Sequence, residues 1–301
     1  MFVVKYRKLW FAFSGILLAL SVWSMFTYGF NLSIDFKGGT ITEVKYEGTV
    51  PAKDQIEGAL NSLNIGGYSV RPSGSDRYVI RTKELGEEER NKLNTTLLSI
   101  SSTRYTIERQ NTIGPVAGAE LQSKAVKAIG VVVLMIVLFV TFAFRRVSVP
   151  VSSWKYGLAT IIALVHDVVI PTGVFVYLGH IWGIEIDLLF VTGLLAVLGY
   201  SVHDTIVVFD RVRENLSVNQ EINHKEDFEL TVGKSVQQTF GRSINTSLTI
   251  FITLLALYIY GSGATAPFAL LLIIGLIAGT YSSVFVASPL LVTFSKWQKK
   301  V

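Results

Sequence analysis

Gly199-Tyr200-Ser201-Val202-His203-Asp204-Thr205-Ile206-Val207-Val208-Phe209-Asp210-Arg211 closes an apolar run that opens near Leu188. A run of this length crosses a bilayer as a helix, because about 20 residues at about 1.5 Å each span the hydrocarbon. Asp204 carries a carboxylate into that run. Charged groups inside a span are expensive, so they face a bundle interior or a wet path and mark a function. Asp210, Arg211 and Arg213 read as the same helix leaving the membrane. What surrounds Asp204 decides what the chain is for.

Composition agrees with a membrane protein. Half of the 301 residues are hydrophobic and 16% are charged, whereas soluble domains carry about a quarter charged residues. The chain has no cysteine, which excludes disulfides, thiolate metal sites and a cysteine nucleophile. No metal or other cofactor is expected. The formal charge is +5, but the basic residues cluster beside apolar spans. That placement serves membrane orientation rather than nucleic-acid binding.

Working outward, Leu9 to Phe30 form a first span behind Lys5, Arg7 and Lys8. The run is too long for the apolar core of a signal peptide and no small-residue cleavage site follows, so it reads as an uncleaved helix. Five further runs cover roughly Ala125–Phe144, Trp154–Leu178, Asp187–Asp210, Ser243–Tyr260 and Pro267–Phe294. Six spans put both termini on one side. Arg145, Arg146 and Lys155 flank one connection, and Arg211, Arg213, Lys225, Lys234 and Arg242 line another, a loop over 212–241. Lys296, Lys299 and Lys300 close the chain, while the turns 179–186 and 261–266 hold no Lys or Arg. Positive residues favour the cytoplasmic face, so both termini are expected inside.

The polar interruption 31–124 is then extracytoplasmic. Thr40–Tyr46 alternates as a strand, and 51–64 is helical behind Pro51, with Ile56, Leu60 and Leu63 on one face. Tyr68–Arg71 and Arg77–Thr82 read as strands around a turn. Residues 87–99 are helical again, with Leu93, Leu97 and Ile100 at helical spacing, and Thr103–Glu108 alternates. Strand, helix, strand, strand, helix, strand predicts a split βαβ, ferredoxin-like sandwich. Gly38-Gly39 reads as a sharp turn more readily than as a phosphate-binding nest. Ile107–Leu121, with Gly114-Pro115 at its centre, reads as a hinge or a shaped, static linker. The candidate hinge residues are therefore Gly38, Gly39, Gly114 and Pro115.

Polar residues appear in three spans. His166-Asp167 lie in the third, with Pro171 after them, and His203-Asp204 in the fourth. The fifth opens with Arg242, Asn245, Thr246 and Thr249, whose spacing places them on one helical face. Counting from the outer turns, Asp204 lies roughly 25 Å inward of Asp187 and Arg242 roughly 28 Å inward of Gly261. The two sit at similar depth, and depth alone leaves their adjacency open. Asp167 sits some 5–10 Å nearer the outside on the same rise. Asp204 cannot snorkel far on its short stem, whereas Arg242 can reach the interface as many membrane-end arginines do. Asp167 is either a second proton site or a partner for His166 and nearby hydroxyls. The sixth span carries Gly275, Gly279, Ser283 and Ala287 four residues apart, a stripe that lets a neighbouring helix approach closely.

These features, in this order, resemble the SecF family, the smaller subunit of the SecD–SecF accessory complex of bacterial Sec protein export. The resemblance rests on Ile34-Asp35-Phe36-Lys37-Gly38-Gly39-Thr40, Ile113-Gly114-Pro115 through Glu120-Leu121, and His166-Asp167. It continues through Gly199-Tyr200-Ser201, Asp204 to Arg211, Arg242 with Thr246-Ser247, and Ser282-Ser283 with Ala287. The family belongs to the resistance–nodulation–division class of proton-driven machines. The resemblance implies a non-enzymatic subunit of the bacterial inner membrane that uses the proton-motive force to assist Sec-dependent translocation. Its implied partners are SecD, the Sec translocon channel, the translocating preprotein and protons. It assigns proton transfer to Asp204 and Arg242; the polar residues of the spans themselves add Asp167 as a further candidate and His203, His166, Asn245 and Thr246 as candidate modulators. His203 departs from the family pattern, in which Asn is common. Two rivals stand beside it: a small-molecule exporter subunit of the same class, and an intramembrane aspartyl protease using Asp167 and Asp204. The exporter normally has a much larger outer region. The protease pattern places Gly, not His203, before its aspartate.

Overall fold

The computed structural model of the protein describes residues 2–100, 104–145, 151–261 and 263–298. Arg146, Lys299 and Lys300 of the charge pattern, and Thr103 of the last strand, lie outside them. The chain divides into two compact units, Met1–Asn31 with Lys127–Val301, and Leu32–Val126.

A single turn α1 (Phe2–Lys5) precedes the long helix α2 (Arg7–Tyr28). The smaller unit opens with one helical turn, α3 (Ile34–Lys37), whose N-terminus is capped by the Ser33 hydroxyl accepting from Asp35 N–H. It continues as β1 (Gly39–Tyr46), α4 (Lys53–Ser62), β2 (Tyr68–Pro72), β3 (Arg77–Thr82), α5 (Glu87–Ile100) and β4 (Tyr105–Ile113). Every pairing is antiparallel and the sheet order is β2-β3-β1-β4, the ferredoxin-like arrangement expected from the element order. Alternation turns Val44, Tyr46, Val70, Tyr78 and Ile80 to one face. There they meet Ile56 and Leu60 of α4 and Leu93 and Leu97 of α5, the positions that the helical spacing selects. Each such side chain contributes about 1.5–3 kcal/mol on full burial.

The end of the smaller unit departs from expectation. β4 runs past Glu108 to Ile113, because a bulge at Glu43/Val44 resets the alternation midway. Pro115 is then the first residue of α6 (Pro115–Ala143), where a missing N–H is harmless and the fixed φ suits a helix start. The expected hinge at Gly38, Gly39, Gly114 and Pro115 is here a packed junction. Gly38 has φ +76°, and a Cβ on it would lie 2.8 Å from Pro115 Cα. A Cβ on Gly118 would lie 3.0 Å from Gly38 N and from Phe36 O. Gly38 N–H caps α3 through Ile34 O at 2.9 Å, so this amide is not free for an anion and the turn reading holds. Gly38→Ala is expected to destabilise the chain by more than about 1–3 kcal/mol, the cost of the backbone conformation alone. Thermal unfolding of the variant in detergent against wild type checks this, and an unchanged midpoint would refute the packed junction.

The membrane unit adds α7 (Ser153–Trp182), α8 (Leu188–Glu221), α9 (Phe228–Tyr260) and α10 (Thr265–Ser282). A π turn over Ser283–Ala287 then carries α10 into α11 (Ser288–Gln298) as one rod. Among the described residues, six helical spans are long and apolar enough to cross a membrane: α2, α6, α7, α8, α9 and the α10–α11 rod. Their ends correct the sequence reading. The α6 helix starts ten residues before Ala125, and most of the expected 212–241 loop is helix continuing α8 and α9. At 34 and 33 residues, these two helices are about 20 Å longer than a bilayer core is thick.

Polar pairs hold that hairpin together. Arg211 donates to Gln238 at 2.7 Å, and Asn215 to Ser235 at 2.8 Å and to Gln238 at 2.9 Å. Near its tip Glu226 takes the Lys234 ammonium, Asn219 and Thr231. Lys234, the largest influence, holds the Glu226 carboxyl below the usual range. In the first turn of α9 Glu229 pairs with Arg7 and Lys296, tying in the start of α2 and α11. Within the bundle, Gly173 admits Ser21 of α2, and Ser24 donates to Gly173 O at 2.9 Å. The stripe Gly275, Gly279, Ser283 and Ala287 is buried against neighbours in its own chain. Cβ atoms on Gly275 and Gly279 would lie 2.2 Å from Val197 Cγ2 and 2.9 Å from Ser201 Cβ of α8.

Candidate functional site

The helix α8 presents two polar faces, and each meets a different neighbour. Tyr200 and Asp204, four residues apart, face α9. Asp204 is 3% exposed, and its Oδ1 accepts from Ser243 Oγ at 2.9 Å. Its Oδ2 is buried and has no hydrogen-bond partner. Tyr200 OH lies 2.6 Å from Ser247 Oγ, which donates to Ser243 O and lies 2.7 Å from Thr280 Oγ1. One short polar network therefore joins α8, α9 and α10 around the carboxylate.

Arg242 is not in that network. It is exposed on α9 and pairs with no carboxylate among the described residues. Asn245, Thr246 and Thr249 are exposed with it. Thr246 and Thr249 turn their hydroxyls back to Arg242 O and Asn245 O at 2.9 and 2.8 Å. The stripe read from the sequence is thus a real helical face, but it lies on the outside of this bundle. Ser243 and Ser247, one residue along, face inward instead. His203 is exposed on α8. Of the proposed proton-transfer pair, only Asp204 is enclosed within this chain.

The second polar face of α8 meets α7 and α10. Ser201 and Ser282 both donate to Asp167 Oδ2, the latter at 2.7 Å, and His166 Nδ1 lies 2.9 Å from Oδ1. Asp167 lies level with Ser201, about one helical turn from Asp204. Thr205 Oγ1 lies 2.8 Å from Ser283 Oγ, which also reaches Ser201 O at 3.3 Å. Among the described residues no hydrogen bond links the two carboxylates, and each meets its own set of hydroxyls. The sequence reading gave no site role to Ser243 or Thr280, and named Tyr200 and Ser247 only within the motifs that carry the resemblance. Serine and threonine are common in spans, so Ser243 and Thr280 did not stand out. No group of three or more His, Asp or Glu able to hold a metal occurs among the described residues.

Comparison with known proteins matches two family models: "Protein export membrane protein SecD/SecF, C-terminal" over residues 92–297, and "SecD/SecF GG Motif" over residues 23–50. The protein translocase subunit SecF of Thermobaculum terrenum is 38% identical over 99% of this chain and 94% of its own length. That of Anaerolinea thermophila is 37% identical over 95% and 91%. The crystal structure of SecDF, a translocon-associated membrane protein from Thermus thermophilus, aligns with TM-score 0.82 and 32% identity. It covers 98% of this chain, which spans 38% of the solved one. SecDF in a super-membrane-facing form aligns with TM-score 0.67 and 31% identity over all of this chain and 39% of that one.

Proposed function

We propose a proton-coupled role in protein translocation for this chain, which belongs to the SecF family of protein translocase subunits. The observation that carries it is an incomplete site inside a membrane. Asp204 is enclosed with one oxygen unpartnered, while Arg242 and His203, on the two helices that frame it, face outward. Intramembrane cations that face lipid are costly and find partners in adjoining protein. The outer face of α8 and α9 is therefore an interface, and a second helical bundle completes the site. SecD fits that role, because the solved SecDF chains hold much more than the part this chain spans.

In this reading the chain sits in the bacterial inner membrane with both termini cytoplasmic and the ferredoxin-like unit outside. Loop charge supports that orientation. Asp204 takes up and releases a proton, Arg242 biases which state is favoured, and the complex passes the change to a preprotein leaving the Sec channel. The role is non-enzymatic. Within the smaller unit, Gly38 packs against Pro115 and Gly118 in the first turn of α6.

Because the chain has no cysteine of its own, single cysteines test the interface. Asn245→Cys on the polar face should cross-link to co-purified SecD in native membranes. Leu134→Cys, exposed on α6, should not. Cross-linking at Leu134 and none at Asn245 would place the partner on another face and remove the support for a shared site.

A further inference from the structure

A groove of about 350 Å³ runs along the outside of the membrane unit, between α9 and the α10–α11 rod. Phe240, Ile244, Leu248 and Phe251 line it from α9, and Ile277 and Phe285 from the rod. Spacings of three and four put the α9 residues on one helical face. Phe240, Ile244, Leu248 and Ile277 are 41%, 41%, 52% and 57% exposed. Apolar side chains are therefore open on both walls, along two of the helices long and apolar enough to cross a membrane.

Size, depth and position decide what fills this space. From Phe240 to Phe251 the groove is about 16 Å long, close to half of the roughly 30 Å hydrocarbon thickness, and it begins at the inner end of the α9 span. It matches one leaflet. A helix is about 10 Å across with its side chains, so a length of about 16 Å needs roughly 1,300 Å³ and does not enter. A single hydrocarbon chain does. The polar face proposed to meet SecD lies elsewhere, since Arg242, Asn245, Thr246 and Thr249 sit about 150° around α9 from the groove residues. A chain in the groove touches both walls, whereas one on a convex helix touches a single surface, so dispersion favours the groove.

We propose that this groove binds one acyl chain of a lipid from the cytoplasmic leaflet, and that the chain seals the Asp204 network on its α10 side. Ser247 and Thr280 also line the groove, and their hydroxyls meet each other at 2.7 Å. Ser247 reaches Tyr200 OH at 2.6 Å and donates to Ser243 O, while Ser243 holds Asp204. The groove therefore borders the network around the carboxylate. Hydrocarbon over that border keeps water from it and leaves the polar face of α8 and α9 as the side from which a proton arrives. The site goes beyond the role given to Asp204, because it assigns the chain a lipid ligand.

Lipids that carry a diazirine on the acyl chain test this in liposomes holding the full chain with co-purified SecD. Mass spectrometry after irradiation locates the label. Leu138 of α6 is the reference, 56% exposed against 52% for Leu248 and at similar depth in its span. Leu248 should carry about tenfold more label than Leu138, equal to about 1.4 kcal/mol of preference for the groove over general lipid contact. Equal or lower labelling overturns the proposal; if labelling then rises when SecD is left out, the partner is the occupant. Leu248→Trp fills the groove from α9 and should bring Ile277, on the opposite wall, down to the labelling of Leu138. Persistent labelling of Ile277 in an assembled Leu248→Trp complex also overturns the site. Where that variant fails to assemble, the label map of the unmodified chain decides.

Discussion

Asp204→Asn is expected to remove the gain in export that a proton gradient provides, while the chain still folds and assembles. Asparagine keeps the size of the side chain, and its carbonyl oxygen can still accept from Ser243 Oγ, now at 2.9 Å from Asp204 Oδ1. What it loses is the charge cycle. A gradient supplies roughly 2.3 kcal/mol per charge for each 100 mV. Since about 1.4 kcal/mol changes an equilibrium tenfold, 100 mV acting through one proton biases a two-state bundle roughly fifty-fold. That bias is what the variant forfeits, so export should become equal with and without a gradient. Reconstituted vesicles holding the Sec channel, the partner subunit and this chain measure it directly. Full retention of the gradient-dependent gain would take the proton role from Asp204. Loss of gradient-independent export as well would show that the variant damages the bundle rather than its proton chemistry.

The sequence exposed this site unevenly, and the reasons are physical. Apolar run length and strand alternation are strong one-dimensional signals, so six spans and the order of the sheet unit were legible. The extension of α8 past Asp210 and that of α9 before Ser243 were not, because the apolar residues that pack there, Val212 on α8 and Phe228, Val232 and Val236 on α9, are sparse among polar ones such as Asn215 and Ser235. The start of α6 was hidden for a similar reason: Glu120, Gln122, Ser123 and Lys124 are exposed on it and read as loop. Asp204 stood out because a carboxylate in an apolar run is rare. Its partner did not stand out. Residue counting gives depth along a helix but not which way a side chain points, and one residue turns an α-helix by about 100°. That single step separates Ser243, which meets Asp204, from Arg242, which faces outward. The Asp167 cluster was half legible, since His166 is adjacent in sequence whereas Ser201 and Ser282 come from helices that only the fold brings together.

Gly275→Leu is expected to break the α8–α10 contact, and with it both polar faces of α8. A Cβ alone would lie 2.2 Å from Val197 Cγ2 and 2.8 Å from its Cγ1, so the helices must part before the rest of the side chain is placed. Overpacking a tight core costs about 1–3 kcal/mol and more where backbone must move. Here the movement carries a second cost. Ser282 and Ser283 lie about two turns along the same helix, and parting the helices draws them from Asp167, Ser201 and Thr205. A carboxylate with no exposure then loses a donor, and leaving such a group short of its bonds costs about 1–3 kcal/mol again. Since the packed neighbour is α8 of the same chain, the loss should appear in the isolated subunit, with no partner present. The temperature of aggregation in mild detergent should fall sharply for Gly275→Leu. Gly130→Leu serves as control, because Gly130 is an exposed position on α6 with nothing within 4 Å of its Cβ site, and it should leave that temperature unchanged. If Gly275→Leu alters only the yield of the complex with SecD and not the stability of the lone chain, the stripe serves the partner and the α8–α10 contact does not hold the bundle together.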